Sequence, residues 1–188
     1  MEARTYATEV LLRDGGKIHI RAVRPDDRQR LRGLFHSLSE QSIYSRFSTQ
    51  KRELSEAELD FLTRLDFVQH VALAAVIRAE PQIASPSCEN QEEQIIGVGR
   101  YAVQKDGNAE VAYAVADAHQ HRGIGSALLQ HLTVIARTAG LTTFVANVLT
   151  ENVLLHSAFL ARSGFYPTVT VSLGVAHISF PLGKAGHS

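Results

Sequence analysis

Apolar residues along this chain change their period several times, and each change marks an element. Residues from Glu9 to Ala22 alternate, with Val10-Leu11-Leu12 and Ile18-His19-Ile20 on either side of Asp14-Gly15-Gly16, which predicts a β-hairpin. Pro25 followed by Asp26 and Asp27 is a helix start, and Leu31, Leu34, Phe35 and Leu38 recur at the three- and four-residue steps of one buried helical face. A further helix is expected after Leu54, where Ser55 and Glu58 have the spacing of a capping box and Leu59, Leu62 and Leu65 share a face. Val71 to Ile77 is continuously apolar, so a strand buried on both faces is expected. Ala79 to Gln94 is polar, contains Pro81 and Pro86 and has no period; it reads as a mobile surface loop, long for a hairpin. Ile95 to Val103 is the partner strand, and Lys105-Asp106-Gly107-Asn108 turns the chain.

The stretch from Ala109 to Ala139 organises the rest. In the strand Glu110-Val111-Ala112-Tyr113-Ala114-Val115, Val111, Tyr113 and Val115 fall on one face, with small or acidic residues on the other. Gln120-His121-Arg122-Gly123-Ile124-Gly125-Ser126 follows, and behind it Ile124, Leu128, Leu132, Ile135, Ala136 and Ala139 form a buried helical face that Gly140 ends. Thr142 to Leu149 is a strand, Asn152 to Ser163 a helix closed by Gly164-Phe165, and Tyr166 to Val175 with His177 to Leu182 a closing strand pair; the last six residues are expected to fray.

Two glycines thus sit between a strand and a helix N-terminus. Unpaired backbone N–H groups point outward there and the helix dipole favours negative charge, so the turn suits phosphate oxygens. Gly123 and Gly125 lack a Cβ that would hold a ligand away, and Arg122 can add a charge-assisted bond. The turn is neither a P-loop nor a G-x-G-x-x-G fingerprint. It reads Q-x-x-G-x-G-S-A, and in this it resembles the acyl-CoA pyrophosphate motif of the GNAT superfamily of N-acetyltransferases. The strand before it, the helix behind it, Asn152 and Gly164-Phe165 extend that resemblance over Arg21 to Leu182, and the opening Arg21-x-x-x-x-Asp26 fits the way such domains begin. Ser39 to Phe47, with Leu65-Asp66-Phe67-Val68-Gln69-His70, is similar to a narrower group: the bacterial Pat-type protein lysine acetyltransferases and the GNAT domains fused to acyl-CoA synthetase-like proteins. Tyr44, Arg46 and Phe47 then either pack a helix corner or line the acceptor groove.

Composition narrows the class further. With 188 residues, 45% of them hydrophobic, the chain is long enough to bury a sizeable core as one domain, spanning 1–188 with a core of about 18–182. Nineteen basic residues balance nineteen acidic ones, which leaves no global field for nucleic acid or an anionic membrane. The single cysteine, Cys88, can form no internal disulfide. No apolar run approaches the roughly 18 residues of a membrane span, and Met1 to Val10 lacks an apolar leader core, so a cytoplasmic protein is expected. His119, His121, His131 and His156 show no ligand spacing with acidic or cysteine partners, and no metal is expected.

The resemblance implies an α/β (α+β) GNAT fold: a mixed, mostly antiparallel sheet of six or seven strands with helices on both faces and acetyl-CoA held where the central strands splay apart. It assigns Gln120, His121, Arg122, Gly123, Ile124, Gly125 and Ser126 to the pyrophosphate, and Tyr113, Ala114 and Val115 to the pantetheine and thioester. The resemblance implies that the Tyr113 N–H polarises the thioester carbonyl as the oxyanion donor. Asn152 is expected to contact the CoA, and N-capping is a rival role that is compatible with it. A lysine amine with a pKa of about 10.4 is protonated at neutral pH, so a base is useful; Glu110 is the candidate, roughly 10 Å along the strand from Tyr113. Many small-molecule members of the superfamily place a thiolate-protonating tyrosine where this chain has Phe159, so no general acid is assigned. The acceptor expected is a protein lysine. Two alternatives stay open: a small amine (an antibiotic, an amino acid, or a polyamine drawn by Glu56, Glu58, Asp60 and Asp66), or a non-catalytic acyl-CoA sensor. A homodimer is compatible with the pattern.

Overall fold

The computed structural model describes residues 2–47, 51–78 and 93–183. Among these residues eight strands form one sheet: β1 (Ala7–Leu11), β2 (Lys17–Ala22), β3 (His70–Arg78), β4 (Glu93–Val103), β5 (Ala109–Val115), β6 (Thr143–Leu149), β7 (Thr168–Ser172) and β8 (Val175–Pro181). Their spatial order is β1-β2-β3-β4-β5-β6-β8-β7, and every neighbouring pair is antiparallel except β5 and β6. The sheet has eight strands rather than six or seven because both terminal hairpins join it, placing β1 and β7 at its edges.

Helices cover both faces. On one, α4 (Ile124–Thr138) and α5 (Val153–Arg162) close a core that includes Val71, Leu73 and Ala75 of β3 together with Leu128, Leu132 and Leu160. On the other, α1 (Arg28–His36), α2 (Glu40–Phe47) and α3 (Glu56–Thr63) close a second core over Ala72, Ala74 and Val76. Strand β3 therefore alternates between two buried layers, which is why its sequence is an unbroken apolar run.

Most boundaries fall near the expected ones, with local differences. Pro25–Asp27 forms a 3-10 turn and α1 starts at Arg28. The Ser55–Glu58 capping box is present, but α3 ends at Thr63, so Leu65 is buried from the segment beyond the helix. Glu93 and Gln94 belong to β4, and the rest of the expected mobile loop, residues 79–92, lies outside the described residues, as do the side chains of Arg46 and Phe47 and the terminal residues 184–188. The closing hairpin turns at Leu173-Gly174, whose φ of 51° and 79° suit a two-residue primed turn, so Ala176 lies inside β8 rather than between strands.

A buried ion cluster anchors the opening of the fold. Arg21 Nη1 and Nη2 donate to the two oxygens of Asp27 at 2.7 and 2.8 Å, and its Nε and Nη2 donate to Glu93 Oε2 at 2.9 and 2.8 Å. The Arg24 N–H and Arg30 Nη1 add donors to Asp27 at 2.8 and 3.3 Å. The Arg21-to-Asp spacing noted in the sequence thus serves to join β2 to α1, with Asp27 rather than Asp26 as the buried partner.

Candidate functional site

Strand β5 is antiparallel to β4 along its whole length but parallel to β6 at only two positions, Ala109↔Phe144 and Glu110↔Val145. Helix α4 is the crossover between them, as a parallel pair requires. Beyond Glu110 the two strands form no further ladder pair among the described residues, so a wedge opens between Tyr113–Val115 and the end of β6.

Backbone directions in that wedge follow from the register. Residues of β4 and β5 pair as Gly97↔Val115, Val98↔Ala114 and Gly99↔Tyr113, and the Ala116 N–H donates to the Ile96 carbonyl at 2.9 Å. Antiparallel pairs alternate between bonded and non-bonded, so Ala114 turns its N–H toward β4 while Tyr113 and Val115 turn theirs into the wedge. Of the three residues assigned to the pantetheine and thioester, two present donors and Ala114 contributes only a small side chain.

Glu110 stands at the apex. Its Oε2 accepts from Gln104 Nε2 at 3.1 Å and its Oε1 from Asn147 Nδ2 at 3.2 Å. It lies on the sheet face opposite Val111, Tyr113 and Val115, the face beside which α2 packs. On the α4–α5 face, the Tyr113 ring packs on Phe159 with centroids 4.7 Å apart, and its hydroxyl lies 3.2 Å from His156 Nδ1. Burial raises the Tyr113 phenol and lowers the His156 imidazole, so the pair is neutral at neutral pH.

The glycine turn opens α4 without a side-chain cap. Gly123 takes the N-cap position with φ 93°, a left-handed conformation suited to glycine, and His121 before it has φ 62° and is exposed. The first N–H groups of α4 are therefore offered outward beside a positive helix end. Several side chains assigned to a phosphate are engaged elsewhere. Arg122 Nε donates to Asp14 Oδ2 at 2.5 Å, tying the turn to the β1–β2 hairpin and holding the Asp14 carboxyl below its ordinary range. Gln120 Nε2 donates to the Val115 carbonyl at 3.1 Å and to Asp117 Oδ1 at 2.9 Å. Ser126 Oγ meets Ser163 Oγ at 2.8 Å, and Ile124 is a core residue. A Cβ on Gly125 would sit 3.3 Å from Phe159, so this glycine admits the α5 aromatic ring. These positions offer a ligand main-chain N–H groups more than side chains.

Asn152 gives the opposite picture. It precedes α5 but makes no capping bond, and its Nδ2 is buried without a hydrogen-bond partner among the described residues. An unmade bond of this kind costs about 1–3 kcal/mol, which suits a donor held for a ligand. Asn152, the Tyr113 and Val115 N–H groups and the α4 N-terminus thus fit an acyl-CoA. Among the described residues no group of three or more His, Cys, Asp or Glu could hold a metal ion, and no helix is long and apolar enough to cross a membrane.

Sequence reasoning missed Asn147 and Gln104 as the partners of Glu110. An asparagine inside the strand Thr-Phe-Val-Ala-Asn-Val-Leu, where such residues are depleted, was the available signal for Asn147.

Known proteins resemble this chain in sequence and in fold. The acetyltransferase (GNAT) family model matches residues 41–165. The acetyltransferase PA5475 of Pseudomonas aeruginosa is 33% identical over 130 residues, 69% of this chain and 64% of that protein. Acetyltransferase Pat of Mycolicibacterium smegmatis is 31% identical over 148 residues, 78% of this chain and 41% of its own length. The chain thus spans under two thirds of either curated relative. The crystal structure of the GNAT domain of S. lividans PAT superposes with a TM-score of 0.79 at 33% identity, covering 93% of this chain and 96% of that one. With two thirds of its length matched by the family model, and with the splayed central strands and uncapped glycine turn described above, the chain belongs to the GNAT acetyltransferase family.

Proposed function

We propose that this protein transfers an acetyl group from acetyl-CoA to a primary amine, and that the amine is a protein lysine side chain. One observation carries the reading: the β5–β6 ladder ends at Glu110, which sets a carboxylate at the apex of a wedge lined by main-chain donors. Acetyl-CoA, when bound, supplies an activated acetyl thioester. The N–H groups at the start of α4 would take its phosphates, Val115 N–H and Asn152 Nδ2 would hold its arm, and Tyr113 N–H would be the donor for the developing oxyanion. Glu110 takes the proton of the incoming ammonium group, so that nitrogen presents a lone pair. The protein-lysine preference is supported by similarity to Pat over 78% of the chain.

The acidic set that would draw a polyamine is already engaged. Glu56 pairs with Arg28 and Arg32, Asp60 with Arg28 and Arg64, and Glu58 with Lys51 and its own cap. Asp66 Oδ1 accepts three backbone N–H groups, from Val68, Gln69 and His70. The test is thiol release from acetyl-CoA by the purified protein, with and without proteins of its own cell, followed by mass spectrometry. New acetyl-lysines that disappear with Glu110→Gln are expected. Thiol release without acetyl-lysine would overturn the protein acceptor, and acetyl-CoA binding with no release would overturn the enzyme.

A further inference from the structure

We infer that Asn147, held in place by His177, is a positioning residue that aims the Glu110 carboxylate. The inference rests on Glu110 acting as the base, and it concerns how the chain holds that base across the opening between β5 and β6.

The donor direction through this chain of side chains is fixed by chemistry. An ionised carboxylate only accepts hydrogen bonds. Asn147, 3.2 Å from Glu110 Oε1, must therefore present its Nδ2–H to that oxygen, which turns its Oδ1 the other way. His177 Nδ1 lies 2.6 Å from Oδ1, so Nδ1 carries the proton and donates. The sheet supports the same alignment, because Asn147 and His177 are directly opposed in the β6–β8 register. On its other side the carboxylate accepts from Gln104 Nε2, just beyond the end of β4. Each oxygen of Glu110 is thus gripped from a different flank of the apex, one by the β4 side and one by β6.

This grip matters because the backbone no longer supplies one. Main-chain pairing between β5 and β6 stops at Glu110↔Val145, and Asn147 lies two residues past that last rung. Its side chain bridges back over the gap that the ladder leaves. A glutamate at a strand fork would otherwise lose nothing by swinging among rotamers, and small displacements of a proton acceptor are costly in rate. Both carboxylate oxygens keep lone pairs beyond those used by Gln104 and Asn147, so the grip does not consume the site's capacity to take a proton.

The experiment is a double-mutant cycle on kcat, with acetyl-CoA affinity and thermal midpoint measured on every variant. Asn147→Ala is expected to lower kcat about tenfold, the scale of one hydrogen bond to a charged group, while the affinity and midpoint stay at wild-type values. Asn147→Asp keeps the shape but replaces the donor with a second carboxylate, and its kcat should fall further. His177→Ala should lower kcat about threefold, as the loss of one supporting hydrogen bond, and His177→Gln, which restores a donor to Oδ1, should recover most of that loss. In a Glu110→Gln background Asn147→Ala should have no further effect, because the two act through one group. Wild-type kcat in Asn147→Ala, or an equal loss in both backgrounds, would overturn the positioning role while leaving Glu110 as the base. Full turnover in Glu110→Gln alone would remove the base itself, and the positioning role with it.

Discussion

Two polar clusters in this molecule are built on opposite plans. Around Arg21, Asp27 and Glu93, donors and acceptors are matched within a closed set: the guanidinium forks onto Asp27, a second carboxylate takes its remaining edge, and a backbone N–H completes the aspartate. Burial opposes the charge on both Arg21 and Asp27, but their mutual bonds outweigh it, raising the arginine and lowering the aspartate. Around the β5–β6 wedge the polar groups are held but not used up. Glu110 keeps free lone pairs, two backbone N–H groups face the opening, and the Asn152 amide is buried without a partner among the described residues. The first arrangement gains by being complete and holds β2 to α1. The second is incomplete within the chain, and in the proposed function a substrate completes it.

Breaking the closed cluster should give the largest change in stability. Asp27→Asn leaves Arg21 short of its fork partner inside the protein, and a cost on the order of 3–5 kcal/mol is expected from urea denaturation, with kcat per folded molecule retained. The pH dependence has a definite sign. A carboxyl whose pKa is depressed by folding contributes stability above the ordinary carboxylate range and loses it as pH falls through the folded value, so the wild type should lose more stability on acidification than Asp27→Asn does. Equal acid sensitivity of the two proteins would show that another group governs acid unfolding.

The open cluster should respond in the reverse way. Asn152→Ala removes an amide that has no partner to lose, so the protein without ligand should be as stable as the wild type or more so, while acetyl-CoA affinity falls about tenfold by calorimetry. A loss of stability with unchanged affinity would make Asn152 structural. The smallest effect is expected at Arg122, which belongs partly to each plan. Its exposed pair with Asp14 should add little to stability, and Arg122→Ala should weaken acetyl-CoA binding a few-fold, less so at high salt. A loss as large as that from Asn152→Ala would mean that Arg122 leaves Asp14 to meet the ligand.

Much of this could be read from the chain before any fold was known. Helix α4 and its glycine turn were legible because a helical period and a positive-φ glycine are local properties, and β3 because burial on both faces leaves an unbroken apolar run. The site was legible only in part. Glu110 could be proposed from its place in a strand, but its two partners come from outside that strand, Gln104 past the end of β4 and Asn147 on β6, 37 residues away. Arg122 is an expected phosphate contact, and the local pattern around it gave no sign of Asp14, 108 residues distant in sequence, which the hairpin turn brings beside it. Gly125 is expected to let a ligand approach, and the local pattern gave no sign of Phe159, which a Cβ at this position would meet. In each case the missing information was which strands and helices meet, and local pattern does not carry that.

The most direct measurement is turnover and acetyl-CoA affinity of Glu110→Gln on one preparation, from pH 6 to pH 9. The account predicts that kcat at pH 7 falls on the order of a hundredfold or more, that the defect narrows above about pH 8 as more of the amine deprotonates unaided, and that acetyl-CoA affinity stays unchanged. Wild-type turnover across that range would contradict it, and would take the carboxylate at the fork of β5 and β6 out of the chemistry.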